Sequence, residues 1–125
     1  MSEPKTILLV EDEELFRGML ADLLRFDDYN VIEACGGDEA IAAADSHSGQ
    51  IDIVITDINL QGMTGVELVE RLAQKHPRLA VIYMSGDTLA GAVGDAKVHP
   101  GAAFLQKPFE STALLDKVRE LLSAA

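Results

Sequence analysis

Four short apolar segments of this 125-residue chain end in side chains that can do chemistry. Ile7-Leu8-Leu9-Val10 runs into Glu11-Asp12, and Ile51–Thr56 runs into Asp57. Ala80–Met84 leads to Ser85-Gly86, and Ala102–Gln106 leads to Lys107-Pro108. Continuous apolar runs of this length, rich in branched residues, read as buried strands. In an open parallel sheet the carboxyl ends of the strands share one edge, and ligands bind there. Three carboxylates, a hydroxyl and an ammonium group would then meet in one pocket. Clustered carboxylates raise one another's pKa unless a cation sits among them. An all-oxygen site with room for water suits Mg²⁺, and Mn²⁺ is acceptable on ligand type. A metal, Lys107 and Ser85 together make a set of groups suited to phosphoryl transfer. An aspartate can itself attack phosphorus to give an aspartyl phosphate, and Asp57 is the expected nucleophile. No P-loop or glycine-rich nucleotide cradle is present in the sequence. The expected phosphoryl source is therefore another protein or a small phosphodonor rather than bound ATP.

These groups need elements that place them. Thr6–Val10 reads as the first strand, and Leu15, Phe16, Met19, Leu20, Leu23 and Leu24 repeat at helical spacing after it. Asp27-Asp28-Tyr29-Asn30 breaks that helix before a short strand at Val31-Ile32. Gly36-Gly37 turns the chain, and Asp38 is expected to cap a second helix through Ala40, Ile41 and Ala44. After the strand Ile51–Thr56, Val66, Leu68, Val69 and Leu72 mark a helix that must stop before His76-Pro77. Thr88–Val98 is a weak helix candidate, because Gly91 and Gly94 each cost it about 1 kcal/mol against alanine. Leu114, Leu115, Val118, Leu121 and Leu122 mark a final helix that starts near Ser111 or Thr112. Strand and helix alternate about five times, which implies a parallel sheet covered on both faces. The length suits one domain, residues 1–125.

A net charge of −11 repels phosphate backbones and anionic lipid, so neither nucleic acid nor membrane is an expected partner. Glu13 and Glu14 read as an acidic helix start, favoured by the helix dipole. Cys35 is the only cysteine, which excludes an intrachain disulfide and fits a reducing, cytoplasmic setting. Cys35 is expected to pack rather than react. His47, His76 and His99 lie in loop-like segments without ligand spacing and read as surface residues. No apolar run is long enough to span a membrane as a helix.

Ile-Leu-Leu-Val-Glu-Asp-Glu, Ile-Val-Ile-Thr-Asp-Ile-Asn-Leu-Gln-Gly-Met-Thr-Gly, Tyr-Met-Ser-Gly and Phe-Leu-Gln-Lys-Pro-Phe occur in this order, each at a strand end. Together they resemble the response-regulator receiver domains (CheY-like) of two-component signalling, over nearly the whole chain. The resemblance implies a flavodoxin-like, doubly wound α/β fold with a five-stranded parallel sheet in the order 2-1-3-4-5. It implies that Asp57 accepts phosphate from a histidine kinase or phosphotransfer protein in a Mg²⁺-dependent reaction. Asp12, Asp57 and the backbone carbonyl of Asn59 would hold the metal, with Glu11 acting through a metal-bound water. Ser85 would hydrogen-bond the phosphate, and Lys107 would pair with it. Phe104 falls at the aromatic switch position, and the Lys107–Pro108 bond is expected to be cis. The domain would catalyse only its own phosphorylation and dephosphorylation, as a monomer or weak dimer. It would signal to a downstream effector or a tethered domain.

Three departures stand out. Glu11 replaces an aspartate, Gln61 stands near the place of a usual proline, and Phe104 lacks the hydroxyl of a common tyrosine. A degenerate receiver acting only as an interaction module is the alternative. An aspartyl phosphatase would want an acid two residues after Asp57, where Asn59 stands. The segments around Ser85 and Lys107 are similar to receivers of hybrid sensor kinases. No output domain fits in the remaining residues, so a stand-alone regulator and a receiver belonging to a longer protein are both open.

Overall fold

The computed structural model describes residues 4–86 and 99–123. The apolar runs form five strands: β1 (Thr6–Val10), β2 (Asn30–Ala34), β3 (Ile53–Asp57), β4 (Ala80–Ser85) and β5 (Ala103–Gln106). All pairings are parallel, in the order β2-β1-β3-β4-β5. This is the doubly wound, flavodoxin-like α/β order that the motifs imply. The helices are α1 (Glu14–Phe26), α2 (Gly37–Ser46), α3 (Gly65–Lys75) and a C-terminal helix (Ser111–Ser123).

Side chains alternate across each strand, so β1 feeds two cores. Leu8 and Val10 join Val54, Val81 and Tyr83 under α2 and α3. Ile7 and Leu9 join Ile53, Ile55, Ile82 and Met84 under α1 and the C-terminal helix. Truncating one of these buried aliphatics to alanine costs about 2–5 kcal/mol, so the strand ends rest on a stiff base.

Boundaries differ from expectation in a few places. β3 starts at Ile53 because pairing with β1 begins at Ile7↔Ile53, while the Asp52 carboxylate accepts from the Thr6 N–H at 2.8 Å. At its other end β3 includes Asp57, paired with Met84. Asp38 lies within the first turn of α2, and the capping position is Gly36. Glu13 caps α1 by accepting from the Phe16 N–H at 2.9 Å. Cys35 is exposed rather than packed, and its thiol lies 3.0 Å from the Glu39 carboxylate. His47, His76 and His99 are half-buried. The helix expected at Thr88–Val98 falls outside the described residues.

Candidate functional site

The ladder continues one residue past three strand ends, and those residues line the carboxyl edge. Glu11 N–H donates to Ala34 O at 3.0 Å, Ile58 N–H to Met84 O at 3.0 Å, and Lys107 N–H to Ser85 O at 2.7 Å. Backbone pairing therefore sets Glu11, Asp57, Ser85 and Lys107 side by side before any side chain interacts. Asp12, Asp57, Asn59, Met84, Ser85, Gly86 and Lys107 line a cavity of about 210 Å³. Ser85 is buried and Asn59 is exposed.

Lys107 Nζ bridges two carboxylates, 2.6 Å from Glu11 Oε1 and 2.6 Å from Asp57 Oδ1. The second Glu11 oxygen, Oε2, accepts from the Glu13 N–H at 3.0 Å. Glu11 is only 1% exposed and Asp57 7%, whereas Asp12 is open to solvent. One ammonium facing two buried carboxylates leaves an excess negative charge, which bears on the pKa of each group. Burial pushes Asp57 up, the neighbouring Glu11 adds to the rise, and Lys107 only partly offsets them, leaving Asp57 at about 7. Burial also works on Glu11, but hydrogen bonds with Asp57, Lys107 and the Glu13 backbone outweigh it and hold Glu11 below its usual range. Asp12 is raised, first by its hydrogen bond with Glu11 and then by burial. Burial pulls Lys107 down, yet its bonds to Asp57 and Glu11 win and raise it. Such a pair titrates jointly.

Glu11, Asp12 and Asp57 each bring a carboxylate oxygen within 4.8 Å of the others. Hard oxygen donors with excess negative charge fit Mg²⁺ or Mn²⁺. The pocket also separates the acids. Asp12, Asp57 and Asn59 face the cavity, while Glu11 lies beneath it with both oxygens engaged.

The model of the response regulator receiver domain family matches residues 7–119. The chain belongs to this family. Among curated relatives, the sensor kinase CckA of Brucella abortus is 33% identical over 122 residues, 98% of this chain and 13% of CckA. The probable transcriptional regulatory protein TcrX of Mycobacterium tuberculosis is 30% identical, over 96% of this chain and 50% of its own length. The chain thus spans half or less of these two relatives. Among solved structures, the receiver domain of the hybrid histidine kinase CckA aligns with a TM-score of 0.80 at 32% identity, covering 94% of this chain and 98% of that one. A receiver protein from Sinorhizobium medicae aligns with a TM-score of 0.85 at 29% identity, covering 98% and 97%.

The Lys107–Pro108 peptide is cis. Phe104 is half-buried and lies across the ladder from Tyr83, with ring centroids 5.4 Å apart. Tyr83 is fully buried, and its hydroxyl accepts from the His99 N–H at 3.4 Å. The expected switch aromatic therefore comes as half of a cross-strand pair.

Two supports of the receiver pocket were not singled out from sequence. At the start of α3, Gly65 N–H donates to Ile58 O at 2.6 Å, and a Cβ on Gly65 would overlap the Asp57 carbonyl oxygen. Only glycine allows this approach of helix to strand end. Thr64 caps α3 by accepting from the Glu67 N–H at 3.1 Å. In the sequence Gly65 is only one of two glycines in a loop after β3, and nothing there shows its closeness to Asp57. Arg17 donates to the Glu11 carbonyl at 2.9 Å and pairs with Glu33 at 3.3 Å, tying the loop after β1 to β2. A lone helical arginine carries no local signal of that kind.

Proposed function

We propose that residues 1–125 form one receiver unit that accepts a phosphoryl group on Asp57 from a phosphohistidine of a histidine kinase or phosphotransfer protein. The observation that carries this reading is the geometry around Asp57. Its carboxylate ends a rigid strand, 2.6 Å from Lys107 Nζ and beside Glu11 and Asp12. An Asp57 oxygen attacks phosphorus, a P–O bond forms and the donor's P–N bond breaks. The electron pair goes to the imidazole, which takes up a proton. Lys107 balances charge on the transferring oxygens, and Ser85 offers a hydroxyl at the adjacent strand end. Asp12, Asp57 and the Asn59 carbonyl would hold Mg²⁺ or Mn²⁺, with Glu11 acting through a bound water. The metal would supply charge neutralisation for the phosphoryl oxygens.

Hydrolysis of the acyl phosphate resets the domain, so its chemistry is confined to its own modification. The donor docks on α1, the helix that follows Glu11 and Asp12. Leu15 and Met19 stand one turn apart near the start of α1, 83% and 64% exposed. Large apolar side chains left open on neighbouring turns offer a partner apolar surface to bury. Phosphorylation then draws Ser85 toward the phosphate and shifts Phe104, changing the face that a downstream effector or tethered domain reads. The domain works in the cytoplasm with its donor, as a monomer or weak dimer. Among the described residues no helix is long and apolar enough to cross a membrane.

Acetyl phosphate with Mg²⁺ should add one phosphoryl mass to the protein. The adduct should be absent with EDTA and in Asp57→Asn. No adduct in the wild-type protein under these conditions would overturn the reading. A Leu15→Ala/Met19→Ala variant should react normally with acetyl phosphate but slowly with a protein donor. Equal slowing with both would remove the docking role.

A further inference from the structure

We propose that Phe16 is a positioning residue for phosphoryl transfer, its ring a shelf that holds the Lys107 ammonium between Asp57 and Glu11. This rests on the receiver reading above. A lysine carries its charge on four rotatable bonds and gives it no direction of its own. Two carboxylates hold Lys107 Nζ, each at 2.6 Å. On α1 the Phe16 ring centroid lies 5.0 Å from Nζ, within the range in which an aromatic face attracts a cation. The side chain is only 28% exposed, so water competes weakly for the ammonium.

The shelf is itself held. Phe109 meets the Phe16 ring edge-on, with centroids 6.0 Å apart and planes at 60°. The Phe16 backbone N–H donates to the Glu13 carboxylate at the helix cap. Phe16 thus faces the pocket from the first turn of α1, whose start is fixed by the loop carrying Glu11 and Asp12. When phosphate arrives, Lys107 must stay aimed at its oxygens although Glu11 competes for it. The negative face of the ring, 5.0 Å from Nζ, favours that bridging position over a swing out to solvent. An aliphatic side chain of similar size fills the space without this attraction.

The test compares Phe16→Leu and Phe16→Tyr with wild type. In the unphosphorylated protein, NMR should show the Lys107 ε-methylene protons shifted upfield by the ring, a shift lost in Phe16→Leu and kept in Phe16→Tyr. With acetyl phosphate and Mg²⁺, Phe16→Leu should be phosphorylated roughly 3- to 10-fold more slowly, and Phe16→Tyr within about twofold of wild type. Mg²⁺ affinity should be the same in all three. Wild-type rate in Phe16→Leu, or equal slowing in both variants, would overturn the proposal. If wild type takes no phosphoryl group, the receiver reading fails, and an unshifted Lys107 signal in wild type separately overturns the shelf.

Discussion

The two flanks of the pocket are built differently. Toward α1, charge answers charge: Lys107 meets Glu11 and Asp57, Glu11 also takes the Glu13 N–H, and Arg17 pins the Glu11 carbonyl. Toward β4 and β5, packing dominates: Tyr83 and Phe104 stack across the ladder, and the Tyr83 hydroxyl reaches the His99 backbone at 3.4 Å. Short charged hydrogen bonds are strong and directional, while a long neutral one is weak. The first flank therefore suits holding reactive groups in register. The second suits a small rearrangement at low cost, as a switching element needs.

The largest effect should come from the charged flank. Lys107→Met leaves Asp57 and Glu11 facing each other without a cation and removes the partner of the transferred group. Phosphorylation by acetyl phosphate should slow by about 100-fold or more, the scale for losing one preorganised stabiliser of transition-state charge. A loss under tenfold would move the chemistry away from this flank.

A smaller effect concerns stability. Asp57 is raised from its ordinary 3.8 to about 7, so the folded protein binds its proton more tightly than the unfolded chain does. This group's contribution to stability is then full at low pH and falls as pH climbs from about 4 through 7. Asp57→Asn removes that dependence and leaves Glu11 and Lys107 as a balanced pair. Without divalent cation, the variant should gain about 1–3 kcal/mol over wild type across this window, read by urea unfolding at several pH values. A difference that stays constant with pH would mean the two buried acids are not in conflict. Added Mg²⁺ should stabilise wild type and not the variant.

The smallest effect should lie on the packed flank. Tyr83→Phe keeps the ring and loses one long hydrogen bond, costing about 0.5–1 kcal/mol. The acetyl phosphate rate should stay near wild type. A large fall in that rate would erase the division of labour between the flanks.

Much of this was legible in the sequence because apolar runs ending in Asp12, Asp57, Ser85 and Lys107 encode both the strands and what they deliver. Parallel pairing then needs little more than burial to align their ends. What was hidden depends on cross-chain approach. Gly65 looks like any loop glycine until α3 lies against the Asp57 carbonyl. Cys35 looks like a small core residue, yet it falls past the end of β2, where the chain turns outward. Phe16 belongs to an apolar helical row, and nothing in that row's period shows that its ring ends beneath Lys107. The unequal exposure of Glu11 and Asp12 is likewise set by packing around the strand end and not by residue type.

The central claim is that Asp57, among three neighbouring acids, takes the phosphoryl group. Borohydride reduction of protein treated with acetyl phosphate and Mg²⁺ converts an acylated aspartate to homoserine, and peptide sequencing by mass spectrometry locates it. The account predicts homoserine at position 57 alone. Homoserine at position 12, reduction of Glu11, or no reduced residue would contradict it.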